Sequence, residues 1–341
     1  MLILKRFLTL SLAFSLLLLP VYAAPGDSAG AAVLIHADSG KVLYAHNENE
    51  PLPMASTTKL MTALLVLEQG SLSDTVTVSA RAAGVEGSSM YLRPGEELSV
   101  EELLYGLMLS SGNDAAMALA EYCAGTVEEF VRRMNEKAAE LGLENTHYVN
   151  PNGLHDEQHY TSASDLARLM QVCLCSEDFC RISGTYTAQI GVRSLRNHNK
   201  LLKSCRGVFS GKTGYTKAAG RCLVSACERE GLRLICVTLR DPCDWEDHAA
   251  LYDWAYGRYE AYRLEKGSMQ GTIPLIGGDT EHLRAVVKNE QCYCVEKGTP
   301  VEKRLFLPPF VFVPCRKDTE LGYLRLSIGE QGETIPLYPA E

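Results

Sequence analysis

Three short runs carry the chemistry of this 341-residue chain: Ser56-Thr57-Thr58-Lys59, Ser111-Gly112-Asn113 and Lys212-Thr213-Gly214. A hydroxyl and an amine three residues apart on a helix share a face, so the Lys59 amine can reach the Ser56 hydroxyl. A serine hydroxyl is unreactive at neutral pH and needs such a base to become a nucleophile for acyl transfer. Lysine is a base only when neutral, and both burial and a second cation, Lys212, would lower its pKa. Ser111 can relay a proton to a leaving amine. Asn113 can orient a substrate amide and hold Lys59. Lys212 and Thr213 can bind a terminal carboxylate, and Gly214 lets a backbone approach a ligand closely. Taken singly, each run has a plain structural reading: Ser56 as a helix N-cap, Ser111-Gly112-Asn113 as a turn, and Lys212 as a solvated charge on an edge strand. All three together, in this order, favour chemistry.

The elements around the runs are those such a site needs. Residues 57–68, TTKLMTALLVLE, lack Gly and Pro and are apolar on nearly every side, which predicts a buried helix. Pro51 and Pro53 bound it upstream and Gly70 downstream. Ser56 then sits at the helix start, where the partial positive charge favours a developing alkoxide. The second run separates two apolar stretches, LLYGLMLS and AAMALAEYC, and reads as a junction between helices. The third precedes LVSACE and RLICVTL, two strands that a turn at Glu230-Gly231 would join.

AAVLIHAD and KVLYAHN flank Ser39-Gly40 as a further hairpin, and TVTVS reads as a short strand. SASDLARLMQVCL is an amphipathic helix capped by Ser162 or Ser164, and Asp244 to Tyr259 is a last helix. Strands at both ends of a helical middle predict an α+β fold, an antiparallel sheet with helices on its faces. From about residue 264, short strand-like runs separated by Gly, Pro and polar turns predict a small C-terminal all-β domain.

On these motifs the chain resembles the serine-type D-alanyl-D-alanine carboxypeptidases, the low-molecular-mass penicillin-binding proteins, and is most similar to members from Gram-positive, spore-forming bacteria. ADSGKVLYAHNENEPLPMASTTKLMTALLVLE, NTHYVNPNGLHDEQHYTSASDLARL, NHNKLL and GKTGYTKAAGRCLVSACEREGLRLICVTL carry the likeness. It runs from about residue 29 to the C-terminus and is weakest after about 262. It implies a β-lactamase/DD-peptidase-like fold and peptidoglycan stem peptides as substrates. It further implies hydrolysis of their terminal D-Ala-D-Ala bond through an acyl-enzyme without a cofactor, and β-lactam antibiotics as covalent inhibitors. Ser56, Lys59, Ser111 and Asn113 would be catalytic, and Lys212, Thr213, Gly214 and Tyr215 would bind substrate. The oxyanion hole would use the backbone N–H groups of Ser56 and Tyr215. His198 stands where some members have an Arg that helps bind the substrate carboxylate. His155 and His159 read as structural.

Three other functions share parts of this pattern. A class A β-lactamase shares the first and third motifs, but its second normally has Asp where Gly112 stands. The middle block also lacks that family's E-x-x-L-N pattern, although Glu157 is nearby. A D,D-endopeptidase on the same fold is a nearer alternative. A silent wall-binding module would be expected to have lost a motif, and none is lost.

Composition sets the remaining bounds. With 46% hydrophobic and 22% charged residues, the chain is an ordinary globular protein long enough for two domains. Residues 1–24 read as a signal peptide, with Lys5 and Arg6 before an apolar run shorter than a bilayer span and Val21-Tyr22-Ala23 as a cleavage pattern. Residues 25–263 would form the catalytic domain and 264–341 the β domain. Removing the signal takes the formal charge from −9 to −11, which argues against nucleic-acid binding. The exported chain would be extracytoplasmic. The C-terminal sequence GYLRLSIGEQGETIPLYPAE does not suit an amphipathic membrane helix, so membrane association would be weak or absent. Twelve cysteines are many for an exported chain. Cys222, Cys227 and Cys236 fall in core strands, where a free thiol acts as a small apolar group. No C-x-x-C pair is present, so no metal site is expected from spacing. Survival of thiols in an anaerobic envelope would explain the count.

Overall fold

The computed structural model describes residues 24–340; the expected signal peptide lies, but for Ala24, outside them. Five antiparallel strands form the central sheet: β1 (Ala31–His36), β2 (Val42–His46), β3 (Val208–Thr216), β4 (Gly220–Arg229) and β5 (Leu232–Leu239). Their spatial order is β2-β1-β5-β4-β3, which leaves β2 and β3 as edges. The β4–β5 hairpin turns at Glu230 and Gly231, both at positive φ (51° and 78°), as a two-residue loop requires.

Alternate residues of the strands enter two different cores, which is why β4 and β5 read as nearly continuous apolar runs. Val33, Ile35, Val224, Ala226, Ile235 and Val237 face a large helical core. Leu34, Leu223, Cys227, Leu234 and Cys236 face Leu251, Tyr252 and Ala255 of a C-terminal helix spanning Asp244–Arg258.

At the centre of the larger core lies α1 (Lys59–Gln69), whose residues from Lys59 to Val66 are all buried. Around it pack α2 (Val100–Leu109), α3 (Asn113–Ala124), α4 (Val127–Glu140), α5 (Ala163–Cys173) and α6 (Glu177–Gly184). A capping box between Ser99 and Glu102 starts α2. Thr126 caps α4, and Ser162 rather than Ser164 caps α5. Thr75–Thr77 is the short expected strand and pairs with Glu97–Ser99.

Two details differ from the sequence reading. Ser56 is not in the α-helix but in a 3-10 turn, Ala55–Thr58, that precedes it. Tyr259 does not end the last helix but begins a strand, Tyr259–Leu264, which pairs with Gln291–Glu296. Beyond them a six-stranded sheet, mostly antiparallel, runs in the order Val301–Phe306, Gly322–Ile328, Gln331–Pro339, His282–Val287, Met269–Ile276, Val311–Phe312. Leu264, Ile273, Ala285, Val287, Leu324, Leu326, Ile335 and Leu337 form a third core there.

One buried carboxylate ties the loop before α2 to α3. Asp114 is fully buried and accepts from Ser89 Oγ at 2.6 Å, Met90 N at 3.1 Å and Leu92 N at 3.0 Å. Asp114→Ala strands those donors away from water. It is expected to destabilise the protein by about 3 kcal/mol, read as a lower urea midpoint; a change within the error of the midpoint would show that the loop is held by other contacts.

Candidate active site

The turn that carries Ser56 is built under strain and braced by side-chain hydrogen bonds. Ala55 has φ 47°, a left-handed conformation that costs a residue with a Cβ about 1–2 kcal/mol. Thr57 Oγ1 donates to Met54 O at 2.6 Å, and Thr58 Oγ1 to Ala55 O at 2.8 Å. His159 fixes the second bond. Its Nδ1 accepts from Val149 N at 2.9 Å, so its proton is on Nε2, which lies 2.7 Å from Thr58 Oγ1. Burial pushes the His159 pKa down to about 4, which keeps the ring neutral. Gly153 has φ 88°, and a Cβ there would lie 2.0 Å from Ala55 O; the chain passes so closely that only glycine fits. Gly214 does the same from the other side, where a Cβ would lie 3.0 Å from both Met54 O and Ser56 N.

Lys59 is fully buried, and its Nζ has three oxygen neighbours: Ser56 Oγ at 2.9 Å, Asn113 Oδ1 at 2.7 Å and Asn152 O at 2.5 Å. Asn113 Oδ1 and Asn152 O can only accept. A neutral amine has two N–H bonds and one lone pair. The two N–H bonds go to the two acceptors, and the lone pair is left facing the Ser56 hydroxyl. Burial, then the charge of Lys212, holds the Lys59 pKa well below its usual range. Asn113 is itself fixed, because its Nδ2 donates to Glu86 O at 2.7 Å. Gly87 (φ 92°) makes room for it, since a Cβ there would meet Nδ2 at 2.6 Å.

The third motif lies inside β3, on an edge of the sheet, and not merely before a strand. Lys212 is 1% exposed, so it is not a solvated edge charge. Its Nζ donates to Thr213 O at 2.8 Å and lies 3.1 Å from Ser111 Oγ; burial pushes its pKa down to about 7. Ser111 is at φ 57°, in the tight link between α2 and α3. Ser56, Ser111, Thr213, Gly214 and Tyr215 line one cavity of about 430 Å³, with Ser88, His198, Arg221, Asp244 and Trp245. Tyr215 is 67% exposed at its rim.

The eight residues singled out in the sequence thus fall into one place: Ser56, Lys59 and Asn113 in one hydrogen-bonded group, Ser111 with Lys212 in another, and Thr213 to Tyr215 along the wall. His155 is exposed and is not among the residues lining the cavity. His198 lines it, and partial burial, then the nearby amines of Lys212 and Lys59, lowers its pKa below the ordinary histidine value, which favours the uncharged ring. Sequence reasoning missed the Asn152 carbonyl, because a backbone acceptor has no residue-type signal. It also missed Arg221, which pairs with Asp244 and stacks 5.3 Å from the Trp245 ring.

Lys212→Ala tests the coupling of the two amines. With Lys59 as the candidate base, acylation would need its neutral form, and the rate would rise with pH through the Lys59 pKa. Removing the neighbouring positive charge raises that pKa, so the rising limb of the pH–rate profile should move to higher pH. A limb that stays in place would show that the amines are not coupled.

The family described as peptidase S11, D-alanyl-D-alanine carboxypeptidase, matches over residues 21–243. The Bacillus subtilis D-alanyl-D-alanine carboxypeptidase DacF is 37% identical over 328 residues, which cover 91% of this chain and 84% of the relative. DacA of Escherichia coli is 30% identical over 92% of this chain and 83% of its own. Among solved structures, penicillin binding protein 5 from Haemophilus influenzae superposes with a TM-score of 0.77 at 28% identity, covering 94% of this chain and 98% of that one. With these likenesses added to the serine–lysine group and its edge strand, the chain belongs to the peptidase S11, or D-alanyl-D-alanine carboxypeptidase, family.

Proposed function

We propose that this protein removes the terminal D-alanine from peptidoglycan stem peptides ending in D-Ala-D-Ala, and that β-lactams acylate the same serine. The observation that carries the reading is the Lys59 amine, buried with its lone pair on Ser56 Oγ. In the first step Ser56 Oγ gives its proton to Lys59 Nζ and attacks the scissile carbonyl. The backbone N–H groups of Ser56 and Tyr215 receive the developing oxyanion. The leaving D-alanine takes a proton through Ser111, and Lys212, bonded to Ser111, favours that hydroxyl as the relay. Water then hydrolyses the ester and restores Ser56.

The substrate lies along β3, which is an edge strand and can accept one more strand by backbone bonding. Thr213 receives the terminal carboxylate. His198 is neutral and supplies no charge to it, so Arg221, across the sheet register from Tyr215, is the candidate cation on that wall. Cutting cross-links, as an endopeptidase would, and sustained β-lactam hydrolysis are the competing outcomes. A pentapeptide ending in D-Ala-D-Ala should lose one D-alanine in the presence of the wild type and none with Ser56→Ala, while cross-linked dimers and a chromogenic cephalosporin turn over poorly. Rapid, sustained cephalosporin hydrolysis would overturn the assignment in favour of a β-lactamase.

The division into a catalytic unit, 25–263, and a C-terminal β unit, 264–341, belongs to the same proposal. It is supported by the third core and by the absence of active-site motifs beyond 263, while the paired strands 259–264 and 291–296 join the two units, with Cys294 in the second core. Export with loss of residues 1–24, and at most weak membrane association, complete it. No helix among the described residues is long and apolar enough to cross a membrane. Phe306, Phe310, Phe312 and Tyr323 are exposed on the C-terminal sheet and are the groups on which a membrane test bears. A truncated chain of residues 25–263 should still be acylated by penicillin, and the chain from 25 to 341 should not sediment with liposomes. Tight liposome binding, or a folded truncation that no longer acylates, would refute this division.

A further inference from the structure

All twelve cysteines lie among the described residues, and none is paired in a disulfide. One of them meets two other metal-ligating side chains far from the active-site cavity. Cys292 Sγ lies 3.9 Å from His36 Nε2, although 256 residues separate them in sequence. His36 Nε2 lies 3.5 Å from Asp38 Oδ2, and all three atoms fall within 4.8 Å of one another. Zinc bonds of about 2.3 Å to sulfur and about 2.0 Å to nitrogen and oxygen, at tetrahedral angles, place S and N about 3.6 Å apart and N and O about 3.3 Å apart. The first two separations are within a few tenths of an ångström of those values.

The surroundings hold each side chain in a ligand-like pose. His36 Nδ1 lies 2.8 Å from Ser39 Oγ, which also accepts from Lys41 N at 3.3 Å. With the imidazole proton on Nδ1 and directed at Ser39, the Nε2 lone pair points at Cys292 and Asp38. Arg233 binds Asp38 through Oδ1 and leaves Oδ2 toward His36, an outer-shell arrangement common for ligating carboxylates. Arg263, opposite Cys292 in the strand register, and Arg233 are the cations that an ion must tolerate; each already has a carboxylate, Glu290 and Asp38. His36 is fully buried, Asp38 is 21% exposed and Cys292 is partly exposed, so one side remains open to an entering ion and a water.

We propose that His36, Asp38 and Cys292 form a divalent transition-metal site, of zinc type by its thiolate, imidazole and carboxylate donors, with a water as fourth ligand. The site joins the two ends of the chain. His36 and Asp38 come from the β1–β2 hairpin, whereas Cys292 comes from Gln291–Glu296. That strand is already seated there, because Lys41 Nζ donates to Cys294 O at 3.2 Å and Cys294 packs in the second core. Binding replaces the Cys292 thiol proton with the metal and releases that proton to solvent. Cysteine spacing gave no hint of the site, because its ligands are assembled from both ends of the chain.

The test uses the reduced, metal-free chain from residue 25 to 341 and Co²⁺ as the spectroscopic probe. One equivalent of Co²⁺ should give a thiolate-to-metal charge-transfer band that one equivalent of Zn²⁺ removes, and Zn²⁺ should raise the Tm. Cys292→Ser should abolish the band and the Tm rise and weaken binding more than about a hundredfold. The other eleven cysteines remain in that variant as the internal control. Asp38→Asn should weaken binding in the same direction, and circular dichroism checks folding of both. No band in the wild type, or a band that survives Cys292→Ser, overturns the site.

Discussion

The buried amine of Lys59 is the constraint on which the rest depends. A charged ammonium in that position would cost several kcal/mol unless fully compensated, and only uncharged oxygens lie within hydrogen-bond reach of it. Burial meets the constraint by lowering the amine's pKa, and in its neutral form each of its N–H bonds has an acceptor. What remains is a lone pair, and among the described residues the hydrogen-bond partner beside it with a proton to give is the Ser56 hydroxyl. The base is therefore set by burial and by the geometry of two carbonyl oxygens.

Much of the architecture serves that arrangement. The helix must be apolar on all sides so that its first turn can carry a lysine into the core. Asn113 must start α3 at a fixed height, which its bond to Glu86 O and the anchoring of the neighbouring loop by Asp114 secure. The Asn152 carbonyl must reach down from the opposite side, and Gly153 allows that segment to lie on the backbone of the strained Ala55–Ser56 turn. His159 and Thr58 hold the same turn through a chain of bonds ending on Ala55 O. Strain at Ala55 and Ser111 thus sits at the two points where side chains must leave the helices and face the cavity.

The sequence made the helices and the grouping of the motif residues readable for physical reasons. α1 showed an unbroken apolar stretch, the β4–β5 hairpin showed two strand runs around Glu230-Gly231, and the three motifs showed reactive side chains at fixed offsets. The 3-10 turn at Ser56 was not readable, since Thr57 and Thr58 suit a helix and only the tertiary contacts of Gly153 and Gly214 force the tighter turn. On sequence alone the last helix extends to Tyr259 and 260–263 carry no assigned element, because YEAYRL continues the composition of the helix before it; the pairing partner, 27 or more residues on, decides the strand. Lys212 was readable as a site amine but its burial was not, because its own strand is an edge and what covers it is the α2–α3 link, distant in sequence. The Asn152 carbonyl and the His36–Asp38–Cys292 group were invisible for a related reason: one is backbone, and the other is assembled from both ends of the chain.

The ionisation state of Lys59 is the most direct measure of the account. Lysines labelled at Cε and Nζ can be followed by NMR across a pH titration, with Lys59→Ala and Lys212→Ala used to assign the two buried amines. The account predicts that one resonance, absent in Lys59→Ala, reports a neutral amine at pH 7 and titrates well below the roughly 10.4 of an ordinary lysine. A Lys59 resonance that remains that of an ammonium ion through pH 9 would contradict it.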